Sequence, residues 1–123
     1  MRNKFHNIKT GGFDSLKEAR RYNELFMLQK AGYITELQTQ VKYELIPPQY
    51  ETYERYGKSG KRLMDGLKVV ERGVDYIADF VYTENGKKIV EDTKGYKKGA
   101  AYDLFVIKRK LMLERHGIRI REV

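Results

Sequence analysis

The dipeptide Asn85-Gly86 constrains this chain more than any other two residues, because it lies between two β-forming runs and can join them in only one register. Residues 74–82, Val-Asp-Tyr-Ile-Ala-Asp-Phe-Val-Tyr, are rich in aromatic and β-branched side chains. Residues 88–93, Lys-Ile-Val-Glu-Asp-Thr, read as a second strand. A two-residue type I′ turn needs φ > 0 at both central positions, which Asn-Gly tolerates best. If Glu84 then pairs with Lys87, Val81 opposes Val90, Asp79 opposes Asp92 and Ile77 opposes Lys94, with all six on one side.

Directly opposed side chains have Cβ atoms roughly 4.5–5.5 Å apart, and like charges at that spacing repel. A cation would relieve the repulsion between Asp79 and Asp92. Two carboxylates at one spot are hard oxygen ligands suited to Mg²⁺ or Mn²⁺, and Lys94 can approach the same spot. The register also chooses between neighbouring acids: Glu91 opposes Phe80 on the other face, so Asp92 is the better ligand. The plainer alternative is an exposed polar hairpin face carrying solvated charges.

At 123 residues the chain is expected to be one domain. It contains no cysteine, so disulfides and thiolate metal sites are excluded, which leans toward a reducing cytoplasm. No apolar run reaches the length of a signal peptide core or a membrane span. The formal charge is +8, with a pI near 9.6. A polyanion is therefore the leading partner. Residues 87–123 hold eleven Lys or Arg against five Asp or Glu, so most of the excess surrounds the acidic pair. An acidic centre in basic surroundings suits an enzyme that holds a phosphate backbone around a metal. Generic solubility charge is the alternative.

Along the chain, residues 1–13 are polar and basic and read as a flexible arm ahead of a domain at 14–123. Asp14-Ser15 opens a helix that runs to about Ala31, with Gly32 after its end. Tyr33 to Ile46 looks extended, and Pro47-Pro48 stops it. Residues 49–66 form a connection without clear secondary structure, rich in Tyr, Gly, Lys and Arg. The hairpin spans about 67–94. Residues 95–99 are a basic loop, 100–116 a second helix and 118–123 a closing strand. The expected fold is α/β, with a central mixed sheet of about four strands flanked by helices in the order α-β-β-β-α-β.

Two charged residues sit on apolar helical faces. In the first helix Ala19, Tyr22, Leu25, Phe26 and Leu28 form a stripe that includes Glu18, where a carboxylate needs a partner or a cation. Ser15 and Glu18 also satisfy the capping-box pattern, so capping and a place in the site both remain open. In the second helix Leu104, Phe105, Ile107, Leu111 and Met112 surround Lys108. That lysine can snorkel to water or reach a phosphate or carboxylate at the site, and Arg115 continues the line. In the connection, Tyr50, Tyr53 and Tyr56 alternate with Arg55, Lys58, Lys61 and Arg62. Such aromatics can stack on unpaired bases while the cations track phosphates; a plain insertion is the alternative. His6 and His116 have no second ligand near them in sequence.

Asp79 followed by Asp92-Thr93-Lys94 on the next strand resembles the PD-(D/E)xK nuclease motif, and the helix beginning Ser15-Leu16-Lys17-Glu18 resembles that superfamily's first helix. Residues 13–45 and 93–110 look like small phage-type proteins placed near the Holliday-junction resolvases. Ala78 stands where the motif's name has proline, a position that ligates no metal. The resemblance implies a restriction-endonuclease-like core and a Mg²⁺-dependent (or Mn²⁺-dependent) DNA endonuclease. Asp79 and Asp92 would bind the metal, with the Thr93 carbonyl as a further ligand and Glu18 completing the set. Lys94 would position the attacking water, and Lys97, Lys98, Lys108 and Arg109 would hold the backbone. Branched DNA would favour a homodimer, because two symmetric cuts need two active sites. The expected setting is the cytoplasm of a bacterium or a phage-infected host, with no membrane partner. A non-catalytic nucleic-acid-binding module is the competing reading.

Overall fold

A computed structural model describes residues 15–123; the arm read at residues 1–13 lies outside them. Helix α1 (Leu16–Lys30) is capped by the Ser15 hydroxyl, which accepts from the Glu18 N–H at 3.1 Å. It ends before Gly32, whose φ of 86° suits a residue without a side chain. Then come β1 (Thr35–Ile46), β2 (Gln49–Tyr56), β3 (Arg62–Glu71), β4 (Val74–Glu84), β5 (Lys87–Asp92), α2 (Ala100–His116) and the short β6 (Arg121–Glu122).

Four strands form the main sheet in the order β1-β4-β5-β6. The β1/β4 and β4/β5 pairs are antiparallel and β5/β6 is parallel, so the sheet is mixed as expected. The protein is an α/β domain, and with β2 and β3 set aside its order is α-β-β-β-α-β. Each helix covers one face. Ala19 and Leu25 of α1 pack with Ile34, Phe80 and Tyr82. Phe105 and Met112 of α2 pack on the other face with Leu45, Tyr76, Ala78, Val81, Val90 and Ile120. Complete burial of a side chain such as Phe80 contributes about 1.5–3 kcal/mol, so the two clusters together hold the layers in place. No helix among the described residues is long and apolar enough to cross a membrane.

The hairpin forms in the expected register. Asn85 and Gly86 have φ of 52° and 77°, and the ladder pairs Glu84 with Lys87, Val81 with Val90 and Phe80 with Glu91. Helix α2 has the expected bounds, closed by Gly117 at φ 67°.

Three expectations need correction. Residues 49–66 are not an irregular connection: β2 and β3 form an antiparallel ribbon that bonds to neither side of the main sheet. The β4/β5 hairpin consequently starts at Val74 rather than near residue 67. The ribbon's tip closes through Gly57 N–H to the Lys61 carbonyl at 2.8 Å, and Gly60 has φ 80°. At its base Gly73 is wedged so tightly that a Cβ would come within 2.8 Å of the Ile46 carbonyl oxygen. Second, the apolar stripes are narrower than drawn. Phe26, Leu104 and Ile107 are exposed, because a four-stranded sheet reaches only the part of α2 around Phe105 and Met112. Third, the closing strand shrinks to Arg121–Glu122, where the carbonyl of Asp92 accepts from Val123 N–H at 3.0 Å.

Candidate active site

Strand β4 changes the face it buries at Asp79. Tyr76 and Ala78 pack on the α2 side, whereas Phe80 and Tyr82, which regular alternation would keep with them, pack on the α1 side. Across the ladder Thr39 pairs with Phe80 and Val41 with Ala78, so Gln40 lies abreast of Asp79, with a left-handed φ of 54°. A non-glycine residue in that region is uncommon and costs of order 1–3 kcal/mol. The reversal aims Asp79 at the end of β5. There the Thr93 N–H and hydroxyl both donate to Asp79 Oδ2 at 2.8 Å.

Asp92 is buried, and its Oδ2 lies 2.5 Å from the Lys94 ammonium. Lys94 itself sits over the ring of Phe105, 3.6 Å from its centroid, a cation–π contact that fixes the amine. Burial pushes the Asp92 carboxyl up to about 6; Lys94 pulls it down and the charge of Asp79 adds to the rise. Asp79 therefore acts directly on Asp92, although the paired ladder ends one step short of them at Phe80 and Glu91, and the expectation that Ile77, Asp79 and Val81 share one side fails because β4 changes its buried face at Asp79. The hydroxyl of Tyr76 is buried beside them without a hydrogen bond of good geometry. Burial, then the charges of Asp92 and Asp79, hold this phenol far above its ordinary range, so it remains a donor at any physiological pH.

Of these groups Tyr76, Asp92 and Lys94 line a cavity of about 340 Å³ whose wall also includes Ile77, Lys42 and Lys108. Lys108, read from the sequence as an interior oddity, thus faces the cavity that Asp92 lines. Glu18 is buried as well, and its Oε2 accepts from Gln40 Nε2 at 2.9 Å. The capping and positional roles coexist: the Glu18 N–H bonds Ser15, and the carboxylate is tied to the residue abreast of Asp79. The donor set suits a hard divalent cation in part. Asp79 and Asp92 are adjacent acceptors, and one Asp92 oxygen is buried against the Lys94 ammonium. Yet among the described residues no three His, Asp or Glu groups converge, so water would fill much of the coordination shell, as is usual for Mg²⁺.

Other residues singled out in the sequence are committed elsewhere. Arg109 and Lys97 both pair with Glu122, at 2.9 and 3.6 Å, and Arg115 lies 4.0 Å from Glu44. Lys98 is exposed on the loop before α2. Arg55, Lys58, Lys61 and Arg62 are exposed around the ribbon tip, with Arg62 bonded to Asp65. The Tyr53 ring lies over Gly66, and Tyr56 donates to Glu54, so two of the three tyrosines are engaged within the ribbon.

The family model described as "Protein of unknown function (DUF1064)" matches residues 2–121. The chain belongs to the DUF1064 family. No curated protein and no solved structure matches it.

Sequence reasoning missed several parts of this DUF1064 site. Tyr76 gave no signal, because its role depends on acids from two strands. Gln40 and Lys42 lie in a strand whose chemistry is visible only once β1 is laid beside β4. Lys17, whose ammonium donates to the Lys94 carbonyl, binds α1 to the motif strand across the fold. A third buried acid, Glu91, faces the α1 side as the register predicts. It accepts from Arg21 Nε and Nη2 at 2.8 and 2.6 Å and from the Tyr82 hydroxyl. Burial, then Glu91, pushes that phenol up to about 12. This bidentate pair clamps α1 to β5.

Proposed function

We propose that this DUF1064 protein is a metal-dependent DNA endonuclease of the PD-(D/E)xK type that hydrolyses phosphodiester bonds, with branched or junction DNA as the substrate class. One observation carries the reading: Asp92, beside Asp79 and paired with Lys94, lines an open cavity whose wall also bears Lys42 and Lys108. Paired carboxylates with a lysine at the rim are what phosphodiester hydrolysis needs, since the substrate is anionic and more charge gathers on its oxygens as water attacks.

Asp79 and Asp92 would hold Mg²⁺ or Mn²⁺, which supplies Lewis-acid polarisation of the phosphoryl group. Thr93 fixes Asp79 through two hydrogen bonds, and Gln40 holds Glu18 at the same level of the sheet. Lys94, steadied by the Phe105 ring, orients the attacking water and offsets the growing charge. Tyr76 supplies a neutral O–H donor to a phosphoryl oxygen. Lys42 and Lys108 grip flanking phosphates, which positions the strand without reading its sequence. Asp92 is charged only above about pH 6, so cutting should rise through that range.

A second reading, a nucleic-acid-binding module without catalysis, draws support from the absence of a third converging acid among the described residues. Labelled duplex, single-stranded and four-way-junction DNA incubated with Mg²⁺, Mn²⁺ or EDTA decides between them. We expect metal-dependent cutting that Asp92→Ala and Lys94→Ala abolish while DNA affinity is retained. Cutting that survives both substitutions removes this site from consideration, and binding without cutting under every condition supports the second reading.

A further inference from the structure

The wall of the cavity that Asp92 lines is only partly charged. Ile77, Ala101, Leu104 and Phe105 make up much of the rest. Ile77 and Leu104 are 52 % and 54 % exposed and belong to neither core cluster. Holding phosphate and a metal gives no reason for apolar side chains to stand open to water at this place.

The cavity exists because β4 outruns β5. Their ladder stops at Phe80 and Glu91, whereas β4 begins at Val74 and is paired there with β1 alone among the described residues. Asp75, Tyr76 and Ile77 are successive, and successive strand residues point to opposite faces. All three nevertheless line the cavity, so it lies along the open edge of β4. A strand edge presents backbone N–H and C=O groups without partners. The opposite wall is the N-terminal half of α2, through Ala101, Leu104, Phe105 and Lys108. Lys42 stands at the same cavity and holds Asp75 only loosely, at 3.9 Å. A hydrogen-bonding edge, an aliphatic wall and two lysines thus meet in one place.

That combination matches a nucleotide outside a double helix. Within a duplex the faces of a base are stacked and its pairing edge is occupied. An unpaired base offers an apolar face and a free hydrogen-bonding edge, with a phosphate on either side. We propose that this cavity binds an unpaired nucleobase of a DNA strand, with its ring against Ile77 and Leu104, its pairing edge along β4 and its flanking phosphates on Lys42 and Lys108. The choice of a nucleic acid rests on the nuclease reading, and the pocket narrows that reading to substrates with an unpaired nucleotide next to the cut.

Binding of labelled DNA to the full chain in EDTA tests the pocket without relying on cutting. A duplex with one bulged adenine should bind about tenfold more tightly than the same duplex with an abasic residue in the bulge, because only the first has a ring to bury. Leu104→Ser and Ile77→Ser change half-exposed side chains outside the core, and each should shrink that difference. Lys108→Ala should weaken both DNAs alike and leave the difference in place, since it removes a phosphate contact. Equal affinity of the wild type for the two DNAs, binding of neither, or a full tenfold difference in both serine variants would overturn the proposal. Displacement of the bulged DNA by an equal concentration of free deoxyadenosine monophosphate would overturn it too, making the cavity a mononucleotide site. Cutting assayed separately in Mg²⁺ keeps the two readings apart. Cutting without a preference for the base removes the pocket and leaves the nuclease, whereas the preference without cutting keeps the pocket and removes the nuclease.

Discussion

Asp92→Asn should stabilise the protein while disabling it, and the size of the effect follows from the site. An aspartate with a folded-state pKa of about 6 against an ordinary 3.8 binds its proton more tightly folded than unfolded. The stability that proton confers is fully present below about pH 4, is lost as pH rises to about 6 and stays lost above it. The integrated loss is about 3 kcal/mol. Asparagine carries no charge to lose. It gives up the ion pair with Lys94, but the lysine keeps its place on the Phe105 ring. The net gain of the variant over wild type should therefore be close to zero at pH 4 and about 1–3 kcal/mol at pH 7.5, a rise in Tm of roughly 3–10 °C for a chain of this size.

The assay is thermal unfolding by calorimetry from pH 4 to 8 in EDTA, wild type against variant, then repeated with millimolar Mg²⁺. Above pH 6, where Asp92 is charged, the cation should raise the wild-type Tm through a stabilisation of up to about 2.7 kcal/mol at a hundredfold excess over Kd, and should leave the variant nearly unmoved. The difference between EDTA profiles reports the charge of Asp92 together with its effect on Asp79 and Lys94 beside it. Parallel pH profiles would refute the argument that Asp92 is strained by burial and by Asp79. An equal Mg²⁺ shift in both proteins would refute the assignment of the cation to this pair.

Two further outcomes are expected. Tyr76→Phe removes a buried hydroxyl without a good partner, so urea unfolding should show stability unchanged or raised by about 1 kcal/mol while cleavage falls roughly tenfold; a large destabilisation would mean the hydroxyl is bonded after all. Arg21→Ala strips Glu91 of its bidentate partner in a site with no solvent access to that carboxylate and should cost about 3–5 kcal/mol in the same measurement; a loss under 1 kcal/mol would show that α1 is held by its apolar contacts alone.

What could be read from the sequence divides along a physical line. The β4/β5 register was legible because it is local: two residues with φ > 0 dictate which residues face each other many positions away. The bounds of α2 were legible for the same reason, with Gly117 marking its end. Which apolar residues of α2 are buried was not, since Leu104 and Phe105 are equally apolar and only the width of the sheet decides that the second is covered. The ribbon escaped notice because strands are recognised by one apolar and one polar face, and a ribbon exposed on both sides has no such contrast.

Glu18 shows how a residue can be noticed for the right reason and still be incompletely read. Its place in an apolar stripe and its fit to a capping box looked like rival explanations, yet the two use different atoms. The backbone N–H goes to Ser15 and the side chain to Gln40. Gln40 in turn occupies a left-handed conformation at the level where β4 changes its buried face. A helix cap, a buried carboxylate and a strained strand residue are thus joined by successive contacts. If Gln40 serves to hold Glu18 beside Asp79, its strain is retained for function, because a less strained residue would leave a buried carboxylate without that amide.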